Sequence, residues 1–183
     1  IYINISSSPF SLNKNQKRNH LFSARAKKIG KPLIYANHVG IQNNGKTIYT
    51  FDGSSCIYDG LGGYIECDEP FKENTLSCEL PIGIPKRLGL RVCPREDNID
   101  TLYKALLYGT RKFMELCEVK RITIGISGGI DSSVAAALYR LLLDPDDLLL
   151  VNMPSRFNSP KTRNLAAMLA ESLGCRYAEI PIE

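Results

Sequence analysis

The chain has 183 residues, a hydrophobic content of 44%, a charged content of 23% and a formal net charge of +4. These values are ordinary for a globular protein and allow one domain or two small ones. The positive charge is mild and spread along the chain, so it does not predict a nucleic-acid-binding surface. No apolar run approaches the roughly 20 residues that a membrane span needs, and no signal-peptide pattern is present. We therefore expect a cytoplasmic protein without a membrane or nucleic-acid partner.

The six cysteines show neither CxxC pairing nor a His-rich companion segment, so metal-site spacing is absent. An even number of cysteines could form disulfides, but reduced and mostly buried thiols are the better expectation for such a chain. Cys56, in FDGSSCIYDG, is predicted to be a core thiol.

The first half of the chain predicts strands and one helix. IYINIS predicts a strand, NKNQKRNHLFSARAKKIG an amphipathic helix ending at Gly30, and PLIYANHVG a second strand. Hairpin signals occur at three dipeptides: Asn44-Gly45, Asp52-Gly53 and Asp59-Gly60. Residues 80–98 contain three prolines and two glycines without periodicity, which indicates a linker. The predicted domains are therefore 1–80 and 99–183, joined by a linker at 81–98.

The second half alternates helices and strands. A helix capped by Asn98 or Asp100 precedes the strand ITIGI, and a further helix over residues 134–143 is broken by Asp144-Pro145. The strand LLLVNMP follows, with Leu148 to Val151 buried. The last helix has Ser159 as its cap, Pro160 at its first position and Gly174 at its end, before the strand CRYAEIPI. This alternation predicts a parallel sheet with right-handed crossovers and a ligand at the carboxyl ends of its strands.

Residues 127–133, SGGIDSS, lie at such a strand end and begin a helix. Glycines allow the backbone to approach an anion closely, and free N–H groups at a helix start point towards it. The Asp131 carboxylate would repel a phosphate unless a cation lay between them, which suggests a bridging Mg²⁺. The spacing is neither that of a Walker loop nor GxGxxG, and a plain connector that binds nothing is the alternative.

SGGIDSS resembles the pyrophosphate-binding loop of the ATP pyrophosphatase (adenine nucleotide α-hydrolase) group, which includes NAD synthetase, GMP synthetase, asparagine synthetase and tRNA-modifying enzymes. The following segment, VNMPSRFNSPKTRNLAAMLAESLGCRYAEIPIE, closely resembles NAD synthetase. The resemblance implies Mg²⁺ on Asp131 and passage of the adenine near Met153. The ATP-binding residues that it implies are Gly125, Ile126, Ser127, Gly128, Gly129, Ile130, Asp131, Ser132, Ser133 and Met153.

The first half resembles the later part of a nitrilase-type amidohydrolase domain, on INISSSPF, IYANHVG and FDGSSCIYDGLG. Glutamine-hydrolysing NAD synthetases have such a domain fused ahead of the synthetase. The resemblance implies glutamine contacts at Ser8 and Lys14. That family uses a Glu, a Lys and a nucleophilic Cys located upstream of the INISSSPF strand. No such triad is expected here, so no catalytic residue is assigned; His20 and His38 are interpreted as structural.

The predicted fold class is α/β: a partial nitrilase-like α/β sandwich followed by a partial doubly wound parallel sheet of the adenine nucleotide α-hydrolase type. The resemblance implies an internal fragment of a glutamine-dependent NAD synthetase, homo-oligomeric when full length. That enzyme amidates deamido-NAD to NAD through an adenylylated intermediate, with ATP, Mg²⁺ and ammonia from glutamine. No glutaminase activity is expected of the isolated chain. Two alternatives are another amidotransferase or tRNA-modifying enzyme of the ATP pyrophosphatase group, and a non-catalytic nucleotide-binding remnant.

Overall fold

A computed structural model describes residues 1–66, 69–80, 98–157 and 160–182. The chain divides into two compact units, unit 1 (Ile1–Lys112) and unit 2 (Phe113–Glu183), which are described separately. The domain boundaries predicted at 80 and 98 stay predictions, because residues 81–97 of the predicted linker lie outside the described residues. No helix in the described part of the chain is long and apolar enough to cross a membrane.

Among its described residues, unit 1 has one complete helix, six strands and most of a second helix. The elements are β1 (Tyr2–Ser6), α1 (Lys14–Ile29), β2 (Leu33–Asn37), β3 (Val39–Asn43), β4 (Ile48–Asp52), β5 (Cys56–Tyr58), β6 (Tyr64–Glu66) and α2 (Ile99–Leu116), which continues into unit 2. A four-stranded sheet has the order β1-β2-β5-β6, with β1 parallel to β2 and the other pairs antiparallel. Strands β3 and β4 form a separate antiparallel pair.

Helix α1 ends as predicted, since Gly30 adopts φ 69° and its N–H donates to the Ala26 carbonyl at 2.9 Å. The core of unit 1 lies between α1 and the four-stranded sheet. Its buried members are Ala26, Leu33, Tyr35, Cys56, Tyr58 and Tyr64. The Phe22 ring lies 5.0 Å from that of Tyr35, within the range of favourable aromatic pairing.

Two predictions for unit 1 are wrong. PLIYANHVG forms two strands rather than one, because the chain leaves the four-stranded sheet at His38. The His38 N–H donates to the Ser6 carbonyl at 3.0 Å, and the His38 carbonyl accepts from the Gly53 N–H at 3.0 Å. Asp52-Gly53 is not a hairpin turn, since it joins β4 to β5 and these strands belong to different sheets. The other two hairpin signals are confirmed by the β3–β4 and β5–β6 pairs.

Unit 2 is an alternating α/β structure, as predicted. Its elements after α2 are β7 (Ile122–Gly125), α3 (Ile130–Arg140), a 3₁₀ turn (Pro145–Asp147), β8 (Leu148–Asn152), α4 (Pro160–Leu173) and β9 (Arg176–Glu179). The three strands are parallel in the order β7-β8-β9. Helices α3 and α4 cover one face of this sheet, because Ala136, Ala166 and Ala170 share a buried cluster with Leu148 and Leu150.

Helix ends in the second half follow the sequence with one exception. Asn98 caps α2, since its Oδ1 accepts the Thr101 N–H at 3.1 Å, and α4 begins at Pro160 and is followed by Gly174 at φ 67°. The predicted cap Ser159 lies outside the described residues. The apolar run over 134–143 does not give the ends of α3, which runs from Ile130 to Arg140: the helix begins within SGGIDSS, as predicted for that turn, and ends three residues before Leu143.

The thiol prediction is correct in one part and wrong in another. Among the described cysteines, all of which are free, Cys56 is buried as expected. Cys117 is exposed, and Cys78 and Cys175 are half-buried, so the expectation of mostly buried thiols fails for the described residues.

Candidate functional site

The first candidate site is the turn between β7 and α3 in unit 2. The Ile126 N–H donates to the Val151 carbonyl at 2.8 Å, which extends the strand ladder one residue past Gly125. Gly128 then adopts φ 79°, a left-handed conformation that favours glycine. Helix α3 starts after Gly129, and no side chain caps its first turn. The first N–H groups of a helix have no intrahelical acceptor, so this turn presents, at the carboxyl edge of the sheet, donors of the kind that bind anions.

The serine hydroxyls brace the turn from within. Ser127 Oγ accepts the Gly129 N–H at 3.3 Å and lies 3.4 Å from Ser132 Oγ. The hydroxyls of Ser132 and Ser133 both donate to the Gly129 carbonyl, at 3.1 and 2.8 Å. These contacts fix the turn before any ligand arrives, which lowers the entropic cost of binding.

Asp131 lies in the first turn of α3, and its side chain is exposed. A carboxylate there interacts favourably with the positive end of the helix dipole. The described residues contain no group of three His, Cys, Asp or Glu side chains that could hold a metal ion. One carboxylate nevertheless suits Mg²⁺, which is commonly held by one or two carboxylates together with substrate phosphates and water.

Met153 follows β8 at the same edge of the sheet and is 49% exposed. Its Cε lies 3.4 Å from the position that a Cβ on Gly125 would occupy. The structure therefore brings together two of the predicted nucleotide-binding positions, at the ends of neighbouring strands. The exposed thioether offers an apolar surface of the kind that packs against a flat ring.

The second candidate site lies in unit 1, in the loop after β1. The backbone of Ser8 is held by the Asn37 amide: the Ser8 N–H donates to Asn37 Oδ1 at 2.8 Å, and Asn37 Nδ2 donates to the Ser8 carbonyl at 3.2 Å. Lys14, at the start of α1, donates from Nζ to the Pro9 carbonyl at 2.8 Å. Both predicted glutamine-contact residues thus lie at this one loop.

The Asn37 amide that holds this loop also contacts a buried ion pair, Arg18–Asp52. Arg18 Nη2 and Asp52 Oδ2 are 3.1 Å apart, with side-chain exposures of 7% and 6%. Arg18 Nη2 also donates to Asn15 Oδ1 at 2.8 Å, and Nη1 donates to the Tyr35 hydroxyl at 3.1 Å. Burial disfavours the charge of Arg18, but the attraction of Asp52 and the bond to Tyr35 outweigh it, so the pKa of Arg18 lies above its ordinary value.

The Tyr35 hydroxyl, which accepts from Arg18, is a further buried group beside this ion pair. Burial raises the pKa of the Tyr35 hydroxyl, and this effect outweighs the opposing influence of the Arg18 charge and of a hydrogen bond with the Ser8 side chain. The sequence prediction missed Arg18, Tyr35, Asn37 and Asp52. One signal was present: Asn15, Arg18 and Asn19 are polar at helical spacing, and all three are buried on one face of α1.

A groove of ≈ 490 Å³ in unit 2 lies away from the turn between β7 and α3. It is lined by Lys120, Arg140, Asp144 and Asp147 together with the leucines that follow α3. Lys120 precedes β7 and Asp147 precedes β8, so this groove is at the amino ends of the strands. Ligands of open α/β sheets bind at the opposite edge, and we therefore assign the candidate site to the turn rather than to the groove.

Comparisons with known proteins show which family the segment containing this turn resembles. A family model described as NAD synthase matches residues 102–183. The glutamine-dependent NAD(+) synthetase of Synechocystis sp. is 34% identical over 184 residues, which cover 100% of this chain and 32% of that protein. The Xylella fastidiosa (strain 9a5c) protein of the same description is 29% identical and is matched over 96% of this chain and 32% of its own length. This chain spans about a third of the length of these relatives.

Solved structures show the same fold. A glutamine-dependent NAD+ synthetase from Acinetobacter baumannii, in complex with adenosine diphosphate, has a TM-score of 0.76 at 22% identity, over 100% of this chain and 34% of that chain. The corresponding protein from Cytophaga hutchinsonii has a TM-score of 0.72 at 20% identity, over 98% of this chain and 36% of that chain. Residues 102–183 thus match the model of the NAD synthase family, and the chain over its whole length is similar to about a third of a glutamine-dependent NAD(+) synthetase.

Proposed function

We propose that this chain is part of an enzyme that converts deamido-NAD to NAD, with ATP as the activating substrate and glutamine as the source of ammonia. The observation that carries the proposal is the turn between β7 and α3. It lies at the carboxyl edge of a parallel sheet and combines Gly128 at φ 79° with a helix start that no side chain caps. The hydroxyls of Ser127 and Ser132 contact each other across it. Within the NAD synthase segment, these features suit the phosphates of ATP.

In the proposed reaction, a carboxylate oxygen of deamido-NAD attacks the α-phosphorus of ATP, and the bond to pyrophosphate breaks. Ammonia then attacks the activated carbonyl carbon, loses a proton and displaces AMP to leave the amide. The turn binds the departing pyrophosphate through the α3 N–H groups and the hydroxyls of Ser127 and Ser132. Donors fixed before the reaction stabilise the charge that develops on this leaving group. Mg²⁺ held by Asp131 would supply further charge neutralisation.

The glutamine half of the proposal rests on unit 1. Ser8 and Lys14 are the proposed contacts to glutamine. The similarity of the whole chain, unit 1 included, to a glutamine-dependent NAD(+) synthetase supports this proposal. The cationic Lys14 suits a carboxylate ligand, and Ser8 adds a hydroxyl that can donate or accept. A cytoplasmic location and a homo-oligomeric assembly belong to the same proposal and rest on the family resemblance alone.

The test uses the full-length product of the gene that encodes this chain. NAD formation from deamido-NAD, ATP and Mg²⁺ is measured with ammonium and, separately, with glutamine. The variant Asp131→Asn removes the charge from the metal-side carboxylate. We expect it to weaken Mg²⁺-dependent ATP binding by about tenfold or more, because contacts to an ionised group contribute about 1.5–3 kcal/mol. NAD formation at subsaturating ATP then falls with both nitrogen donors.

Asp146→Asn is the matched control, since Asp146 is also exposed in the first turn of a helical segment but lies before β8, at the amino end of the strand. This control should retain wild-type ATP binding and NAD formation. Wild-type ATP binding by Asp131→Asn would contradict the nucleotide assignment. Absence of NAD formation from the unsubstituted protein with either donor would contradict the proposed reaction itself.

A further inference from the structure

Four residues of unit 1 form a chain of hydrogen bonds that ends at the backbone of Ser8. In order they are Tyr35, Arg18, Asp52 and Asn37. Asn37 completes this chain because it bonds both to Asp52 and to the backbone of Ser8. The four residues come from separate elements: strands β2 and β4, and helix α1.

Each polar atom of the Asn37 side chain has a defined partner. Oδ1 accepts the Ser8 N–H at 2.8 Å, while Nδ2 donates to the Ser8 carbonyl at 3.2 Å and to Asp52 Oδ1 at 3.5 Å. The Asp52 carboxylate can only accept, so it fixes which side of the amide faces it. The Asn37 backbone is held as well, because its N–H donates to Ser55 Oγ at 3.0 Å.

The Arg18–Asp52 pair in turn fixes the Asp52 carboxylate. Arg18 is itself held by Asn15 and by the Tyr35 hydroxyl, and its guanidinium carbon lies 4.8 Å from the centre of the Tyr35 ring. The Asp52 carboxylate cannot rotate without losing its bond to Arg18, so it also holds the Asn37 amide that donates to it. The Arg18–Asp52 pair therefore determines the orientation of the Asn37 amide.

We propose that Asn37 is a positioning residue for glutamine binding: it sets the backbone of Ser8, and the Arg18–Asp52 pair sets Asn37. This inference rests on the proposed function, in which Ser8 contacts glutamine. It goes further by assigning a role to Asn37, Arg18 and Asp52, to which the proposed function gives none. A substitution of Asn37 should therefore change the affinity for glutamine and leave the ATP-dependent step unchanged.

The test compares Asn37→Asp with Asn44→Asp in the full-length gene product. Asp at position 37 retains an acceptor for the Ser8 N–H, but it turns an oxygen towards both the Ser8 carbonyl and the Asp52 carboxylate. Asn44 lies exposed in the β3–β4 turn, where its Oδ1 accepts from the N–H groups of Lys46 and Thr47. Asp at position 44 keeps both of these bonds, so it controls for the chemical change and for the added charge.

We expect Asn37→Asp to raise the KM for glutamine about tenfold or more, because it removes two hydrogen bonds and adds a repulsion. NAD formation with ammonium, and its KM for ATP, should match the unsubstituted protein. Asn44→Asp should be unchanged in every assay. An unchanged KM for glutamine in a folded Asn37→Asp protein overturns the inference, as does an equal loss with ammonium, which indicates a general structural role.

A second variant covers the case in which Asn37→Asp does not fold. Ser55→Ala removes the hydroxyl that accepts the Asn37 N–H and introduces no charge, so a smaller rise of about two- to fivefold in the KM for glutamine is expected. No rise in this variant overturns the inference. If the unsubstituted protein uses ammonium but not glutamine, the glutamine half of the proposed function fails and the inference fails with it. If it uses glutamine and the variants do so equally well, only the inference fails.

Discussion

Two ion pairs in this chain have the same length but very different burial, and the loss of one partner should destabilise the two units to very different extents. Arg18 and Asp52 are 3.1 Å apart with side-chain exposures of 7% and 6%. Arg121 and Asp147 are also 3.1 Å apart, with exposures of 82% and 35%. At equal distance the attraction scales inversely with the effective dielectric constant, which falls about fourfold from water to a protein-like value of ~20.

Asp52→Asn leaves the Arg18 charge buried without its counter-ion, and the charge stays because a guanidinium does not lose its proton in a protein. We expect the free energy of unfolding of unit 1 to fall by about 3–5 kcal/mol. Asp147→Asn makes the same chemical change at an exposed pair. Its expected effect on unit 2 is about 0–1 kcal/mol.

Native-state hydrogen exchange measures each unit separately, on peptides from α1 and β2 for unit 1 and from β7 and β8 for unit 2. The double variant Arg18→Met with Asp52→Asn completes a thermodynamic cycle. It removes the orphaned charge together with Arg18 Nε, a buried atom that has no hydrogen-bond partner among the described residues. The double variant should therefore cost about 1–3 kcal/mol less than the sum of the single variants. Strict additivity, or equal effects of Asp52→Asn and Asp147→Asn, would refute this reasoning.

Two further predictions concern one residue in each unit. Gly128→Ala places a side chain at φ 79°, at a cost of about 1–2 kcal/mol. Calorimetry should show ATP binding weakened about tenfold, while the hydrogen exchange of unit 1 stays unchanged. Unaltered ATP affinity would contradict the proposed role of the turn. Burial raises the pKa of Tyr35, so the unfolded chain releases this proton first as pH rises above about 10, and stability is lost there. In urea titrations between about pH 9 and 11, Tyr35→Phe should lose less stability than the unsubstituted protein. An equal loss would contradict the raised pKa of Tyr35.

The sequence predicted those features of the fold whose causes are local. The end of α1 at Gly30 and the start of α4 at Pro160 depend on single residues with restricted or permissive backbones. The division of PLIYANHVG into β2 and β3 was not predictable in this way. That run has strand character throughout, and it is interrupted only because His38 bonds to Ser6 on one side and to Gly53 on the other.

Helix α3 illustrates a different limit. Apolar periodicity locates the residues that will be buried, and the first apolar run after the glycines begins at Val134. The helix begins four residues earlier, at Ile130, because the hydroxyls of Ser132 and Ser133 bond back to Gly129 and stabilise its first turn. The binding turn is therefore part of the helix that follows it, which the apolar pattern alone does not indicate.

The two candidate sites differ in predictability for a physical reason. The turn in unit 2 is built from consecutive residues, so its chemistry can be read as a motif, whereas the hydrogen-bonded chain in unit 1 joins positions from Ser8 to Asp52 that form no motif. Stability alone gives little reason for such a pair, because apolar residues of similar volume in place of a buried ion pair are often neutral or stabilising. The role that we propose for the pair is therefore one of geometry, and the pair reaches the backbone of Ser8 through the Asn37 amide.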